Sequence, residues 1–181
     1  KTIPKESINK DNNIKGTKVM RITDEYVFFW NDLCSNFEFV DIEHKGNVFP
    51  TTEHAFMWEK AMFFGDKKIA NELLTCKLPG LAKNLGRQVK NFDAGKWDEV
   101  CYEAMLVVNR IKWNQPKYKE FLLGTGDKTL VEASPYDRVW GIGMKANEEG
   151  IEDEANWKGH NLLGKVLMDV RKEIQEKDKK D

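Results

Sequence analysis

Two side chains that could act together chemically, Glu53 and Lys60, lie in one predicted helix. Pro50 suits the step into a helix, and Thr51 or Thr52 can cap its first free amide groups. Glu53 then falls in the first turn, where those amides and the helix dipole stabilise a carboxylate. Lys60 follows two turns later on roughly the same face. The pattern therefore predicts a carboxylate and an amine flanking one hollow, although a Glu that only complements the dipole and a solvated Lys would have the same spacing.

Composition limits the classes of protein to which the chain can belong. Its 181 residues, 40% of them hydrophobic, suffice for one substantial core. The 29 basic and 30 acidic side chains leave a formal net charge of −1, so any contact with nucleic acid must be local. No apolar run approaches membrane length, and the start lacks a signal-peptide core.

Three widely spaced cysteines and three separate histidines fit neither a disulfide framework nor a zinc site. We therefore expect no metal, no contact with a membrane and an intracellular location, either cytoplasmic or nuclear. His54 follows Glu53 on the same helix but points away from it, so we expect a hydrogen-bonded structural histidine.

The order of the elements favours a single compact domain that is mainly α, in the α+β class. Residues 1–20 are polar and predict a flexible N-terminal arm, residues 21–176 the domain, and residues 177–181 a charged tail. Strand-like runs, the second and third of them forming a hairpin, stand near residues 26–30, 37–42, 47–49 and 129–133.

Helix signals fill most of the remaining chain. Helices are expected after Pro50 and then over residues 66–74, 81–86, from 93, over 117–123 and from 161. The helix that begins after Asp93 carries the widest apolar stripe (Val100, Cys101, Ala104, Val107, Val108 and Ile111), so we expect it at the centre of the domain. Residues 145–157 form an acidic connection that we expect to be mobile.

The other candidate residues are polar or aromatic groups at the ends of predicted elements: Ser35, Asn36, Phe37, Arg87, Trp97, Asp137, Trp140 and Asn161. Each has a structural explanation when it is taken alone. Asn161 can cap a helix, Asp137 can serve a turn, and Trp97 can form a hydrophobic staple with Phe92. Arg87 can be a solvated charge and Trp140 a core aromatic residue.

Taken together, these groups resemble the YbiA-like family, also called NADAR, over about residues 26–174. The motifs that carry the likeness are Ser35-Asn36-Phe37, Phe49-Pro50-Thr51-Thr52-Glu53-His54 with Lys60, Gly86-Arg87, Lys96-Trp97, the loop from Asp137 to Gly143, and Asn161-Leu162-Leu163-Gly164. Their order, spacing and chemistry all agree with the family pattern. The resemblance implies a YbiA-like domain and an enzyme that hydrolyses an N-glycosidic bond between ribose and a base nitrogen without a cofactor.

Such families act on two classes of substrate, which the resemblance leaves open. One is ADP-ribose linked to the amino group of guanine in nucleic acid, and the other is ribosylamino-pyrimidine phosphates from riboflavin biosynthesis. Trp58, Glu59, Ile142 and the insertion from Ala146 to Trp157 depart from the bacterial riboflavin-type pattern. These departures leave the choice of substrate open, and the lack of an attached riboflavin-pathway domain favours the ADP-ribosyl branch.

Residue roles follow from the resemblance and the chemistry of the side chains. Glu53 is expected to stabilise positive charge on the ribose and to orient water, while Asp137 binds a ribose hydroxyl or shares that water. Lys60 either neutralises phosphate or attacks the anomeric carbon to form a Schiff base.

The remaining matched residues are expected to bind substrate. Arg87 suits phosphate, Trp97 and Trp140 suit stacking on a base, and the Ser35–Phe37 step and Asn161 complete the set. Two other classes of protein fit the same residues. A non-catalytic ADP-ribose or nucleotide reader would use the same aromatic faces, and a structural interaction protein would use its tryptophans only for packing.

Overall fold

The computed structural model describes residues 20–181, so nearly all of the predicted N-terminal arm lies outside the described residues. Its helices are α1 (Thr52–Phe63), α2 (Lys67–Thr75), α3 (Pro79–Arg87), α4 (Ala94–Trp113), α5 (Pro116–Gly124) and α6 (Leu162–Asp178). Its strands are β1 (Arg21–Ile22), β2 (Tyr26–Phe29), β3 (Ile42–His44), β4 (Asn47–Phe49) and β5 (Thr129–Glu132). A short 3-10 helix spans Glu154–Asn156. These elements confirm the mainly helical α+β class.

Residues 20–181 contain no helix that combines the length and the apolar character needed to cross a membrane. Contacts between Cα atoms divide the chain into two compact units. Among the described residues, one unit contains residues 20–34 together with Pro116–Asp181, and the other is Ser35–Gln115. We call them the outer-sequence unit and the inner-sequence unit.

The outer-sequence unit is built on a three-stranded sheet in the order β1-β2-β5. Strand β2 pairs in parallel with β5 and antiparallel with β1, which is too short to have been predicted from the sequence. All four residues of β2 are buried, as expected of a strand covered on both faces. Helix α6 packs against β5.

The segment of residues 145–157 was expected to be a mobile connection, but it is packed into the core of the same unit. Ile151 is only 1% exposed and belongs to a cluster with Tyr26, Phe28 and Val131. The Trp157 indole donates a hydrogen bond to the Ile151 carbonyl, 2.7 Å, and packs edge-on against Tyr26. The acidic side chains of the segment lie on its outer face, whereas the apolar side chains of Ile151 and Trp157 anchor it in the core.

The inner-sequence unit contains the β3–β4 hairpin and helices α1–α4. Lys45 and Gly46 both have positive φ, +48° and +79°, which is the turn that two-residue hairpins favour. The prediction of a strand over 37–42 is wrong except at Ile42. The amides of Phe37 and Glu38 donate to the Ser35 hydroxyl and carbonyl, so a turn takes the groups that a strand ladder would need.

Helix α1, rather than α4, is the central helix of this unit, because it packs against α2, α3 and α4. The predicted stripe of α4 is rotated from the buried one: Cys101 and Val108 are buried, but Val100, Ala104, Val107 and Ile111 are only partly buried. The buried face of α4 contains Met105, Asn109 and Lys112 instead. Hydrophobic periodicity treats the polar residues of a helix as solvent-facing, so it could not place Asn109 and Lys112 on the buried face.

Candidate active site

Helix α1 begins as the sequence predicts and places Glu53 in its first turn. The Thr51 hydroxyl accepts a hydrogen bond from the His54 amide and caps the helix. Glu53 is nevertheless only 8% exposed, so it is not a solvated charge that merely faces a helix end. Its amide donates to the Asn36 carbonyl, 3.1 Å, and this bond fixes the first turn against the Ser35–Phe37 step.

His54 has the structural role predicted for it. The ring is fully buried, with Nδ1 2.7 Å from the Thr51 hydroxyl and Nε2 3.1 Å from the Cys76 carbonyl. Burial lowers the pKa of this imidazole, and the hydrogen bond to Cys76 only partly opposes the effect. The neutral ring therefore joins the start of α1 to the end of α2.

Asn36 supports the helix start with both its backbone and its side chain. The Thr52 hydroxyl donates to the Asn36 carbonyl, 3.1 Å, and to its side-chain oxygen, 2.9 Å. The Asn109 side chain approaches the same oxygen at 3.5 Å, and the Asn36 amide group donates to Met105 Sδ. Asn36 is 9% exposed, so these contacts give it a positioning role, and direct substrate binding by its side chain stays a prediction.

The Ser35–Phe37 step is held from α4 by a lysine that the sequence-based prediction missed. Lys112 is fully buried, and its ammonium donates to the Ser35 carbonyl, 2.9 Å, while lying 5.0 Å from the Trp113 ring centroid. Ser35 itself is 7% exposed. The spacing of Met105, Asn109 and Lys112 along one face of α4 was the available signal, because it is that of a helix face.

Lys60 lies beside Glu53, as the helix spacing predicts, and is partly buried. Burial lowers the pKa of its ammonium below the usual value; the Glu53 carboxylate opposes this, and the positive charge of Arg87 adds to it. The ammonium also sits over the Phe92 ring, 4.5 Å from its centroid, a contact that favours the charged form. The net lowering means that desolvation dominates at this amine.

Arg87 reaches the neighbourhood of Lys60 because α3 packs closely on α1. A Cβ atom at Gly86 would overlap Met57 Sδ and lie 3.0 Å from its Cγ, so only glycine allows this approach. The Arg87 side chain is exposed and makes one weak hydrogen bond, 3.3 Å, to Asn84. It is therefore available to bind an anionic ligand. Helix α3 is longer than the predicted 81–86 turn, and Gly86 lies inside it.

Trp97 belongs to an aromatic cluster next to Lys60. Its ring centroid lies 5.5 Å from that of Phe56, 6.0 Å from Phe63 and 6.1 Å from Phe64. Phe92 packs edge-on against Phe64, with centroids 5.4 Å apart. Trp97 is therefore partly a packing residue, as the staple interpretation expected, and both predicted staple rings rest on Phe64.

Three predicted site residues belong to the outer-sequence unit. One carboxylate oxygen of Asp137 accepts hydrogen bonds from the amides of Val139, 2.9 Å, and Trp140, 2.8 Å, so this side chain shapes its own loop. Trp140 is partly exposed. Asn161 is 2% exposed and bridges β5, donating to the Leu130 carbonyl and accepting from the Glu132 amide, each 2.9 Å.

Asn161 starts α6 without a side-chain cap, because its φ is +53° and its side chain is used by the sheet. The cap interpretation of this residue is therefore wrong, and its assigned substrate contact stays a prediction. Gly164 lets the start of α6 lie against β5, since an added Cβ would overlap the Leu130 carbonyl. The motif Asn161-Leu162-Leu163-Gly164 thus joins a helix to a strand.

The structure therefore brings together Glu53, Lys60, Arg87, Trp97 and the Ser35–Phe37 step within the inner-sequence unit. Asp137, Trp140 and Asn161 lie in the outer-sequence unit. Within residues 20–181 no group of three or more His, Cys, Asp or Glu side chains could hold a metal ion. The chemistry available is that of a carboxylate, a desolvated amine and a guanidinium beside aromatic rings.

Comparison with known proteins shows the family to which a chain with this arrangement belongs. The family model described as the NADAR domain matches residues 19–175, which span both units. The chain belongs to the NADAR family.

Relatives named as N-glycosidases cover most of the chain. N-glycosidase R617 of Acanthamoeba polyphaga mimivirus is 42% identical over 127 residues, which are 70% of this chain and 75% of that protein. N-glycosidase YbiA of Shigella flexneri is 32% identical and covers 77% of this chain and 79% of its own length. These similarities make this NADAR protein a hydrolase that acts on N-glycosyl bonds.

The fold is also that of a solved relative. The NMR structure of the Escherichia coli protein YbiA superimposes with a TM-score of 0.72 at 27% identity, over 90% of this chain and 92% of that one. This confirms the YbiA-like fold. A protein named riboflavin biosynthesis protein VVA0006, from Vibrio vulnificus, is 28% identical over 86% of this chain but only 40% of its own length.

Proposed function

We propose that this NADAR protein hydrolyses the bond between C1 of ribose and the amino nitrogen of ADP-ribosylated guanine in DNA, which removes ADP-ribose from the base. The observation that carries the proposal is the pairing of Glu53 with a desolvated Lys60 on one helix face. Burial lowers the pKa of the Lys60 ammonium, which increases the fraction of neutral, nucleophilic amine.

Lys60 acts as the nucleophile in the reaction we propose. Its neutral amine attacks C1, the C1–N bond breaks, and the electron pair stays on the guanine nitrogen, which takes up a proton. Opening of the ribose ring gives a Schiff base between C1 and Nζ. Water then adds to C1, and free ADP-ribose and the lysine amine are released, so that one water is consumed overall. Glu53 stabilises the positive charge on the sugar and accepts protons from the attacking amine and water.

Arg87 and the aromatic residues supply substrate recognition in this proposal. The exposed guanidinium of Arg87 matches phosphate oxygens, and ADP-ribose presents a diphosphate. Trp97 and Trp140 offer ring faces for stacking, and Asp137 binds a ribose hydroxyl. Asn36 and Asn161 act by positioning the elements to which they are hydrogen bonded.

A second substrate class is the ribosylamino-pyrimidine phosphates of riboflavin biosynthesis. The similarity to the Vibrio vulnificus protein named for that process favours it. The same Glu53 and Lys60 chemistry would apply, because the scissile bond again joins C1 of ribose to a base nitrogen. This substrate has one base and one phosphate, and so needs fewer aromatic and cationic contacts.

The proposal is tested with both substrates and with the Glu53→Gln variant. We expect release of ADP-ribose from ADP-ribosylated guanine DNA, little turnover of the ribosylamino-pyrimidine phosphate, and nearly complete loss of hydrolysis in Glu53→Gln. Glu43→Gln, an exposed glutamate on β3, is the matched control and should keep normal turnover.

A non-catalytic reader of ADP-ribose predicts a different result. It would bind ADP-ribose but hydrolyse neither substrate, whereas the enzyme we propose retains binding and loses turnover in Glu53→Gln. Preferential turnover of the pyrimidine substrate would replace the ADP-ribosyl assignment with the riboflavin-type one. We also propose an intracellular location, which the three free cysteines support.

A further inference from the structure

Positive charge is concentrated in one part of the chain. Residues 67–96 contain seven lysine and arginine side chains and only two acidic ones, although the whole chain has a net charge of −1. We call the seven cationic side chains the basic segment: Lys67, Lys68, Lys77, Lys83, Arg87, Lys90 and Lys96. Among the described residues none of the seven forms a salt bridge, and all are exposed except Lys83, which is partly buried. Within that part of the chain no salt bridge therefore neutralises them, although the charge of Lys90 interacts with the Asp66 carboxylate.

Two structural links place much of the basic segment together. Asp66 caps α2 through the Ile69 amide, 3.1 Å, and also accepts from the Lys90 amide, 2.9 Å, so the start of α2 meets the chain that follows α3. Lys67 and Lys68 are the first two residues of α2. Three of the seven cationic residues are thus held around one buried carboxylate.

The second link leads from α3 to the candidate active site. Lys83 and Arg87 are four residues apart on α3 and therefore share one face of it. The charge of Arg87 is close enough to lower the pKa of the Lys60 ammonium. Positive charge on one face of α3 thus lies close to the amine that we propose as the nucleophile.

Half-exposed aromatic rings accompany the positive charge at this point. Phe92 follows Lys90 by two residues and lies under the Lys60 ammonium, with 49% of its surface exposed. Phe63 is 47% exposed and packs against Trp97. Cationic side chains interleaved with exposed rings are the features with which proteins bind single strands of nucleic acid, through phosphates and stacked bases.

We propose that the basic segment binds the sugar–phosphate backbone of a single DNA strand and directs a modified guanine in that strand to Lys60. This inference rests on the proposed function and assigns the contact with the DNA strand to these cationic side chains. A small phosphorylated pyrimidine would occupy one or two cationic groups, and five or more would have no ligand. A DNA strand offers one phosphate per nucleotide and can occupy most of them.

The first test measures binding of an unmodified, fluorescein-labelled single strand of about 12 nucleotides by anisotropy, within the range of site sizes of single-strand binders. The variant Lys83→Glu/Lys90→Glu reverses two charges outside the catalytic groups. The matched control Lys165→Glu/Lys172→Glu makes the same change on exposed positions of α6. We expect the first variant to bind at least tenfold more weakly and the control less than twofold.

Salt dependence gives a readout that a folding defect would not imitate. Each lost phosphate contact lowers the slope of log K against log salt by about 0.7 for single strands, so the loss of two contacts lowers it by about 1.4. The neutral variant Lys83→Gln/Lys90→Gln should show the same change of slope with a smaller loss of affinity. Equal affinity in all variants, or equal weakening in the α6 control, would overturn the inference.

The second test separates this inference from the proposed function. We expect kcat/KM for ADP-ribosylated guanine to be at least tenfold higher in a single strand than in the free nucleoside. Lys83→Glu/Lys90→Glu should remove that advantage and leave hydrolysis of the nucleoside within twofold. Hydrolysis without a preference for the strand overturns the inference and keeps the function. DNA binding through the basic segment without any hydrolysis supports the surface and refutes the function.

Discussion

Replacing Gly86 by alanine tests whether close packing of α3 on α1 places Arg87 beside Lys60. The added methyl would overlap Met57 Sδ, and Met57 is only 8% exposed, so its side chain has little room to move. Such overpacking costs about 1–3 kcal/mol. Alanine is the better helix former by about 1 kcal/mol, so the net loss of stability in Gly86→Ala is about 0–2 kcal/mol.

A matched control lies in the same helix. An added Cβ at Gly80 would have nothing within 4 Å, so Gly80→Ala receives the gain in helix propensity without the clash. The free energies of unfolding of the two variants should therefore differ by about 1–3 kcal/mol. In a chain of this length each kcal/mol corresponds to about 2–4 °C in Tm, so Gly86→Ala should melt roughly 2–12 °C below Gly80→Ala.

Thermal melting followed by circular dichroism gives the stabilities, and steady-state hydrolysis gives the effect on the site. We expect Gly86→Ala to raise KM, because the displaced Arg87 no longer meets phosphate, and Met57→Ala in the same chain to relieve the clash. Equal melting temperatures for Gly86→Ala and Gly80→Ala would refute the packing argument. A lowered Tm with an unchanged KM would show that the packing is structural and that Arg87 does not depend on it.

Three further predictions concern single side chains. Lys60→Arg should abolish hydrolysis, because a guanidinium stays protonated and is a poor nucleophile. Borohydride added during turnover of the wild-type protein should leave a covalent sugar adduct that intact-mass analysis detects. Substantial activity in Lys60→Arg would show that Lys60 contributes only its positive charge. The pKa of His54 in the folded chain is below its unfolded value of about 6.5, so the unfolded chain binds more protons as the pH falls below that value. The free energy of unfolding, measured by denaturant titration, should therefore decrease as the pH drops from about 7 to about 5. The His54→Gln variant should show a flatter pH profile. Trp97→Ala should cost about 2 kcal/mol of stability through lost ring contacts, whereas Trp140→Ala should mainly weaken substrate binding at equal folded fraction; the reverse pattern in calorimetry would contradict both assignments.

The parts of the site that depend on local sequence could be predicted. The capping of α1 by one of the two threonines that follow Pro50, the position of Glu53 in its first turn and the face shared with Lys60 all follow from helix geometry. Gly46, one of the two residues with positive φ in the hairpin turn, is the residue type that such turns favour. Each of these features is decided by residues within a few positions of one another.

Features that depend on distant residues could not be predicted in the same way. Lys112 and Ser35 are 77 positions apart. The helical spacing of Lys112 shows the face of α4 on which it lies, but not that its ammonium is buried against the Ser35 carbonyl. The sequence around Asn161 predicts a helix cap, but the side chain instead bridges β5, 29–31 positions earlier. In both cases a tertiary contact overrides the local preference.

The order of the two units along the chain has a consequence for biosynthesis. Strand β2 is apolar and fully buried, yet its parallel partner β5 is synthesised roughly a hundred residues later, after the whole inner-sequence unit. At about 5–20 residues per second, translation leaves this strand without its partner for about 5–20 s. Aromatic strands that wait this long are sites of aggregation and of chaperone binding. The helices of the inner-sequence unit, whose contacts are more local, are expected to form during that interval, and the sheet closes only as the last third of the chain leaves the ribosome.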